Sequence, residues 1–174
     1  MDQLIEAARY YRDYLDGQKF YLRAGKKNTV IEFFIAFEAQ HFYHLAGLHK
    51  LNDLAFLRRN GRIIYRQILD EKTGERDINV SKFYSSIEKR LENFSDIQSV
   101  LFSKELMIRS LHGAFNSIRA DFMLTARKPY GYEHIFFKTD IDNVAQPVTY
   151  IIHPNNDYLK NNPNKWTVLS IERL

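Results

Sequence analysis

The sequence has no cysteine at all. That excludes a disulfide framework and any thiolate metal site, and it fits a reducing cytosol. It also has no long hydrophobic run: nothing approaches the roughly 20 apolar residues that span a bilayer. The opening residues Met1-Asp2-Gln3-Leu4-Ile5-Glu6 lack the basic region and apolar core of a signal peptide. The chain therefore reads as a soluble cytoplasmic protein with no membrane partner. Tryptophan occurs once, against 13 Phe and 11 Tyr. Also missing are a Walker loop, a Gly-x-Gly-x-x-Gly fingerprint and a Gly-x-Ser-x-Gly elbow. Nucleotide-cradling loops and nucleophile-elbow hydrolases drop out on that ground. No repeat, low-complexity tract or sustained heptad is present.

What is present is an ordinary globular composition, 45% hydrophobic and 26% charged over 174 residues. That is the size of one domain with a proper core. The net charge of +4 comes from 25 basic and 21 acidic residues. It is compatible with nucleic acid but close to balanced.

Leu4, Ile5, Ala8, Tyr11 and Leu15 recur at helical spacing and predict a helix over residues 2–16. Lys19 to Arg23 and Thr29 to Phe37 have strand character, with Ala24 to Asn28 as a hairpin loop. Leu54 to Leu57 suggest a short helix, and Arg62 to Leu69 fit helix or strand. Residues 70–77 read as a loop. A helix is expected from Ser81 through Phe94, and another over Ser103 to His112, ending at Gly113. The last third alternates: strands are expected at Phe122 to Arg127, Tyr132 to Lys138, Val148 to His153 and Trp166 to Glu172. The expected class is thus α+β, with N-terminal helices packed on an antiparallel sheet of about four strands, the other sheet face being partly open.

Chemistry has two candidate locations. One is Gln40 to Leu51, which holds His41, His44 and His49 among aromatics and leucines. At about 100° per residue, His41 and His44 flank Leu48 on a half-buried helical side. Alternatively Gly47 ends the turn as a left-handed cap. The histidine spacings, with no carboxylate among them, argue against tightly bound zinc, so no cofactor is expected. Packing histidines are the simpler account. The other location is the sheet, where Thr125 and Arg127 share one strand face, His134 and Lys138 another, and His153, Thr167 and Ser170 follow. Metal-free RNA cleavage needs a base for the 2′-hydroxyl, a cation for the phosphorane and an acid for the leaving oxygen. A plain solvent-facing side of an amphipathic sheet would look the same.

The run Phe42-Tyr43-His44-Leu45-Ala46-Gly47-Leu48, following a strand, resembles the Phe-x-His-Leu-x-Gly signature of phage and mobile-element proteins in the barnase, EndoU, colicin and RelE-like nuclease superfamily. Lys82-Phe83-Tyr84 is similar to that group's pattern as well. The resemblance implies a single nuclease-like domain over residues 1–174 and a metal-independent ribonuclease of phage or toxin type. A non-catalytic module that keeps the fold and binds RNA or a protein partner is the alternative. Of the candidate catalytic residues, His44 comes from the motif, while Arg127, Lys138, His153 and Ser170 come from the sheet. If the resemblance holds, His44 faces a cleft between helices and sheet, with Arg127 or Lys138 opposite.

Overall fold

The computed structural model describes residues 2–109, 118–155, 159–160 and 164–174. Its first element, α1 (Gln3–Tyr14), starts where Asp2 Oδ1 accepts the Ile5 amide at 3.0 Å. Asp2 also accepts the Glu75 amide through Oδ2, while Glu75 accepts the Gln3 amide, so two helix starts cap each other across 73 residues. Leu4, Ala7, Ala8 and Tyr11 form the buried stripe of α1.

Two strands follow, β1 (Lys19–Lys26) and β2 (Thr29–Ala36). They pair in full register, so the turn is only Lys27-Asn28 and the expected longer loop continues the ladder instead. Then come α2 (His41–Leu45), α3 (Gly61–Leu69), α4 (Glu75–Ile78), α5 (Glu88–Glu92) and α6 (Ile97–Leu101). The helix α4 lies within the segment expected as a loop. The expected helix from Ser81 is broken into 3-10 turns around α5, because Ser81 turns back to accept the Phe83 amide and donates to Asp53.

The sheet comprises β3 (Leu106–Arg109), β4 (Phe122–Lys128), β5 (Gly131–Thr139), β6 (Val144–His153) and β7 (Lys165–Arg173) together with β1 and β2. Their order is β1-β2-β6-β5-β4-β3-β7, and β7 pairs back with β1. The expected α+β sheet of about four antiparallel strands is therefore corrected to a closed barrel of seven strands with mixed pairing. Three features account for the difference. The early hairpin joins through β1 and β7. Residues 106–109, expected as helix, form β3 and bridge β7 to β4. A short parallel contact, Phe34 with Val144 and Ile35 with Ala145, closes the ring. Closure gives each strand a neighbour on both sides, if only over two residues at the β2–β6 seam, and no local alternation can announce it. Gly113, the expected end of that helix, lies outside the described residues.

The barrel interior is aromatic: Phe33 stacks on Phe122, and Phe122 on Phe137, at 4.9 and 5.0 Å. Helices plug onto the same core, where Phe42 of α2 meets Tyr11, Tyr65 and Phe94 edge-on or tilted at 5.0–5.6 Å. Burying such a ring is worth roughly 2–3 kcal/mol, with about 1 kcal/mol more from ring geometry. Leu45, fully buried, adds to the hold on α2. A second small cluster, Ile108, Ala120, Met123 and Phe136, covers the outer face of β3–β5. Among the described residues no helix is long and apolar enough to cross a membrane.

Candidate functional site

Phe42 and Leu45 clamp α2 from one side and so aim the residue between them outward. His44 is exposed, at one wall of a cleft of about 300 Å³. The same cleft is lined by His49, Lys50, Arg90, Arg119 and Thr149, with Ile118, Val148 and Ile151 as its apolar part. Among the described residues no carboxylate belongs to this lining. A β-bulge of β6 against β5 at Phe136/Phe137 breaks the alternation of β6, and Val148, Thr149 and Ile151 all reach the cleft.

Gly47 explains the last position of the motif. It adopts φ +81°, ends α2 as a left-handed cap and leads into a 3-10 turn at Leu48–Lys50. A Cβ there would stand 2.7 Å from Ile87 Cγ2 and 3.3 Å from the Arg90 guanidinium. The glycine thus brings two walls of the cleft together: its turn carries His49 and Lys50, and its missing side chain admits Arg90. Arg90, 4% exposed, donates from Nη1 to Thr149 Oγ1 at 3.1 Å.

The electrostatics are one-sided. The His44 and His49 rings lie 4.9 Å apart, and Tyr43 packs edge-on to His44 at 5.2 Å. Burial lowers the His44 pKa. Burial, then His44, Arg90 and Lys50, push His49 down to about 4. Both rings open to solvent at the rim, so water screens part of this repulsion. Lys50 is lowered by burial and by Arg90. Five basic side chains line one concavity, with no carboxylate among the described residues of that lining, and such a wall suits an anion.

His41 behaves differently from its neighbour. It is buried, and its Nδ1 accepts the Glu38 amide at 3.0 Å, the packing role weighed for the cluster as a whole. Burial lowers its pKa, opposed by Glu38 and a hydrogen bond with Gln146. The imidazole of His44 makes no hydrogen bond among the described residues.

The sheet candidates are dispersed. Arg127 and His153 share a row of one face with Tyr132 between them, so their backbones stand about 10 Å apart. That row lies beyond the row Thr125, His134 and Ile151, and only Ile151 of these lines the cleft. His153 Nδ1 faces the Asn155 carbonyl at 3.2 Å. His134 is completely buried, and burial followed by His153 pushes it to about 4. Lys138 is exposed opposite Gln146, and Ser170 is half-buried opposite Arg23, neither of them lining the cleft. The cleft charge comes from Lys50, Arg90 and Arg119, which sequence reasoning passed over. Arg90 did leave a signal: with Ile87, Leu91 and Phe94 it occupies an i, i+3, i+4, i+7 apolar stripe, where a charge is out of place. Among the described residues no group of three or more His, Asp or Glu converges as metal ligands would.

The family model described as phage-Barnase-EndoU-ColicinE5/D-RelE like nuclease4 matches residues 3–172. No curated protein and no solved structure matches the chain. With nearly its whole length matched, the chain belongs to this nuclease-like family.

Proposed function

Proceeding from that membership, we propose that the chain is a ribonuclease of the cytosol that cleaves RNA at the His44 cleft without a metal ion. The observation that carries this reading is the lining itself: His44, His49, Lys50, Arg90 and Arg119 gathered around one concavity, with no carboxylate among its described residues. Hard divalent cations are held by oxygen ligands, chiefly carboxylates, and this wall has the opposite character. A phosphodiester would bring the missing negative charge.

In the reaction, His44 takes the proton of the 2′-hydroxyl as the 2′-oxygen attacks phosphorus. The bond to the 5′-oxygen breaks, leaving a 2′,3′-cyclic phosphate and a free 5′-hydroxyl once that oxygen is protonated. Burial keeps His44 neutral near pH 7, the form a base needs. Rings 4.9 Å apart act from one side of the phosphorus rather than flanking it. The opposite side then falls to the ammonium of Lys50, which burial and Arg90 make more acidic. Arg90, locked by Thr149, and Arg119 carry the charge that develops on the phosphorane. Arg127 and His153, further along the same sheet face, suit the neighbouring nucleotide. Lys138 and Ser170 take no step.

The test is incubation of the purified chain with mixed RNA in the presence of a chelator, alongside His44→Gln. Cyclic-phosphate ends from the wild type, lost in the variant at unchanged melting temperature, are the expected result. RNA that is bound and left intact would instead favour a non-catalytic RNA-binding module.

A further inference from the structure

Outside the cleft, a second basic surface is the outward side of α3 and the turn before it. Arg58, Arg59, Arg62 and Arg66 are all exposed, within nine residues of chain. Asn60 caps α3 by accepting the Arg62 amide at 2.9 Å, and Arg62 and Arg66 follow one turn apart on its outer side. Arg59 and Arg66 have no acidic partner among the described residues, and Arg58 donates to the Asn52 carbonyl. The acidic groups nearby are Glu38, 3.9 Å from Arg62, Asp16, whose carboxyl feels the Arg62 charge, and Asp70, which is paired with Lys72 at 3.0 Å. Ile63, 51% exposed, lies among the arginines beside a groove of about 220 Å³.

This surface is tied to the cleft. Gly61, at the start of α3, lets the helix backbone press on α2: a Cβ there would sit 3.0 Å from the Gln40 carbonyl oxygen and 3.0 Å from Tyr43 Cβ. Arg62 donates to the Gln40 side chain at 2.9 Å. Gln40 and His44 are four residues apart, hence on one side of α2 and one turn from each other. Tyr43 makes a second link, its ring against His44 and His49 and its hydroxyl donating to the Leu57 carbonyl.

We infer that Arg58, Arg59, Arg62 and Arg66 hold the phosphates of single-stranded RNA flanking the bond seated in the His44 cleft. This rests on the ribonuclease reading of that cleft, which it extends to an elongated, unpaired substrate. The cleft is the size of small-ligand sites, too small for a duplex, so the strand entering it is single. The arginines continue the same sign of charge from it, and Ile63 supplies an apolar seat for a base.

The experiment measures binding rather than cleavage, so it reads the stripe whether or not the cleft is catalytic. The probe is a 2′-O-methyl RNA of about a dozen nucleotides, which cannot be cut by 2′-hydroxyl attack; binding to the full chain is followed as salt is varied. Replacing the four arginines together by glutamine is expected to reduce the slope of log Kd against log salt by roughly 3, at about 0.7 per phosphate contact. Replacement by lysine, which keeps the charges, is expected to retain most of the slope. A glutamine variant that melts like the wild type yet keeps the wild-type slope overturns the inference and leaves the stripe to an acidic protein. A loss of slope together with no RNA cleavage by the wild type upholds the stripe and removes only the catalytic reading.

Discussion

Two clusters of titratable groups flank the β5–β6 sheet, and they differ in how their charge is answered. On one face lies the cleft, where Lys50, Arg90 and Arg119 share a sign and burial pushes His44 and His49 toward their neutral form. On the other, the Tyr130 hydroxyl stands between buried Glu133 and Asp96, 2.8 Å from Asp96 and with one proton to share between them, while Lys128 stands 3.7 Å from Asp96 and 3.8 Å from Glu133. Tyr150 closes that cluster by donating to the Asn93 carbonyl. Burial raises the Glu133 carboxyl and the Tyr130 hydroxyl, just as it lowers the histidines of the cleft. The difference teaches that a perturbed group alone does not mark a functional site. In the acidic cluster the charges are paired within the protein, which makes it part of the scaffold. The cleft's lining is basic instead, with no carboxylate among its described residues.

If that contrast is right, His44→Gln separates activity from stability most sharply. Cleavage of RNA, read as cyclic-phosphate product, is expected to fall about 10²–10⁴-fold, while the melting temperature of so exposed a residue stays within about 2 °C.

Gly47→Ala attacks the cleft through its frame. A side chain at φ +81° is strained, and its Cβ would collide with Ile87 at 2.7 Å. We expect about 3 kcal/mol of destabilisation in denaturant unfolding, with activity falling as Arg90 is displaced.

Acid sharpens the comparison through His134. Its folded value of about 4 lies below the 6.5 of an unperturbed ring, so protonation favours the unfolded chain. Its contribution is complete above about pH 6.5 and is lost progressively toward pH 4, up to about 3 kcal/mol. Glu133 titrates in the other sense, since a raised carboxyl gains stability as pH falls. Comparing unfolding of wild type and His134→Leu over that interval isolates the histidine: the variant's stability should decline less.

Tyr130→Phe removes the hydroxyl placed between Asp96 and Glu133. A loss of about 2 kcal/mol with the cleavage rate unchanged would mark the acidic cluster as scaffold, and a rate loss beyond the loss of folded protein would contradict it. The smallest effect is expected of Thr149→Val, which deletes the Arg90 hydrogen bond. About 1 kcal/mol of stability should go, together with a several-fold rise in KM for RNA as Arg90 loses its fixed position.

Much of this was legible along the chain. The apolar stripe of α1, the strand pair β1–β2, the alternation of the last third and the Phe-x-His-Leu-x-Gly run are local patterns, set by the 3.6- and 2-residue periods of the backbone. They were enough to point to the nuclease family, and the motif supplied His44 as a candidate. Other features were illegible for definite reasons. Leu106 to Arg109 is too short for its period to tell strand from helix, and only β4 and β7 on either side decide the matter. The parallel contact of β2 with β6 joins residues about 110 positions apart, for which no spacing rule exists. The cleft's charge has the same origin: Lys50 follows a turn, Arg90 ends up behind a glycine, and Arg119 precedes β4. The sequence by itself determined the periodic elements and the motif, because those depend on neighbours within a turn or a pleat. Only the tertiary structure decided that the sheet closes and which cations surround His44, because burial and like-charge repulsion depend on distance in space, not on position along the chain.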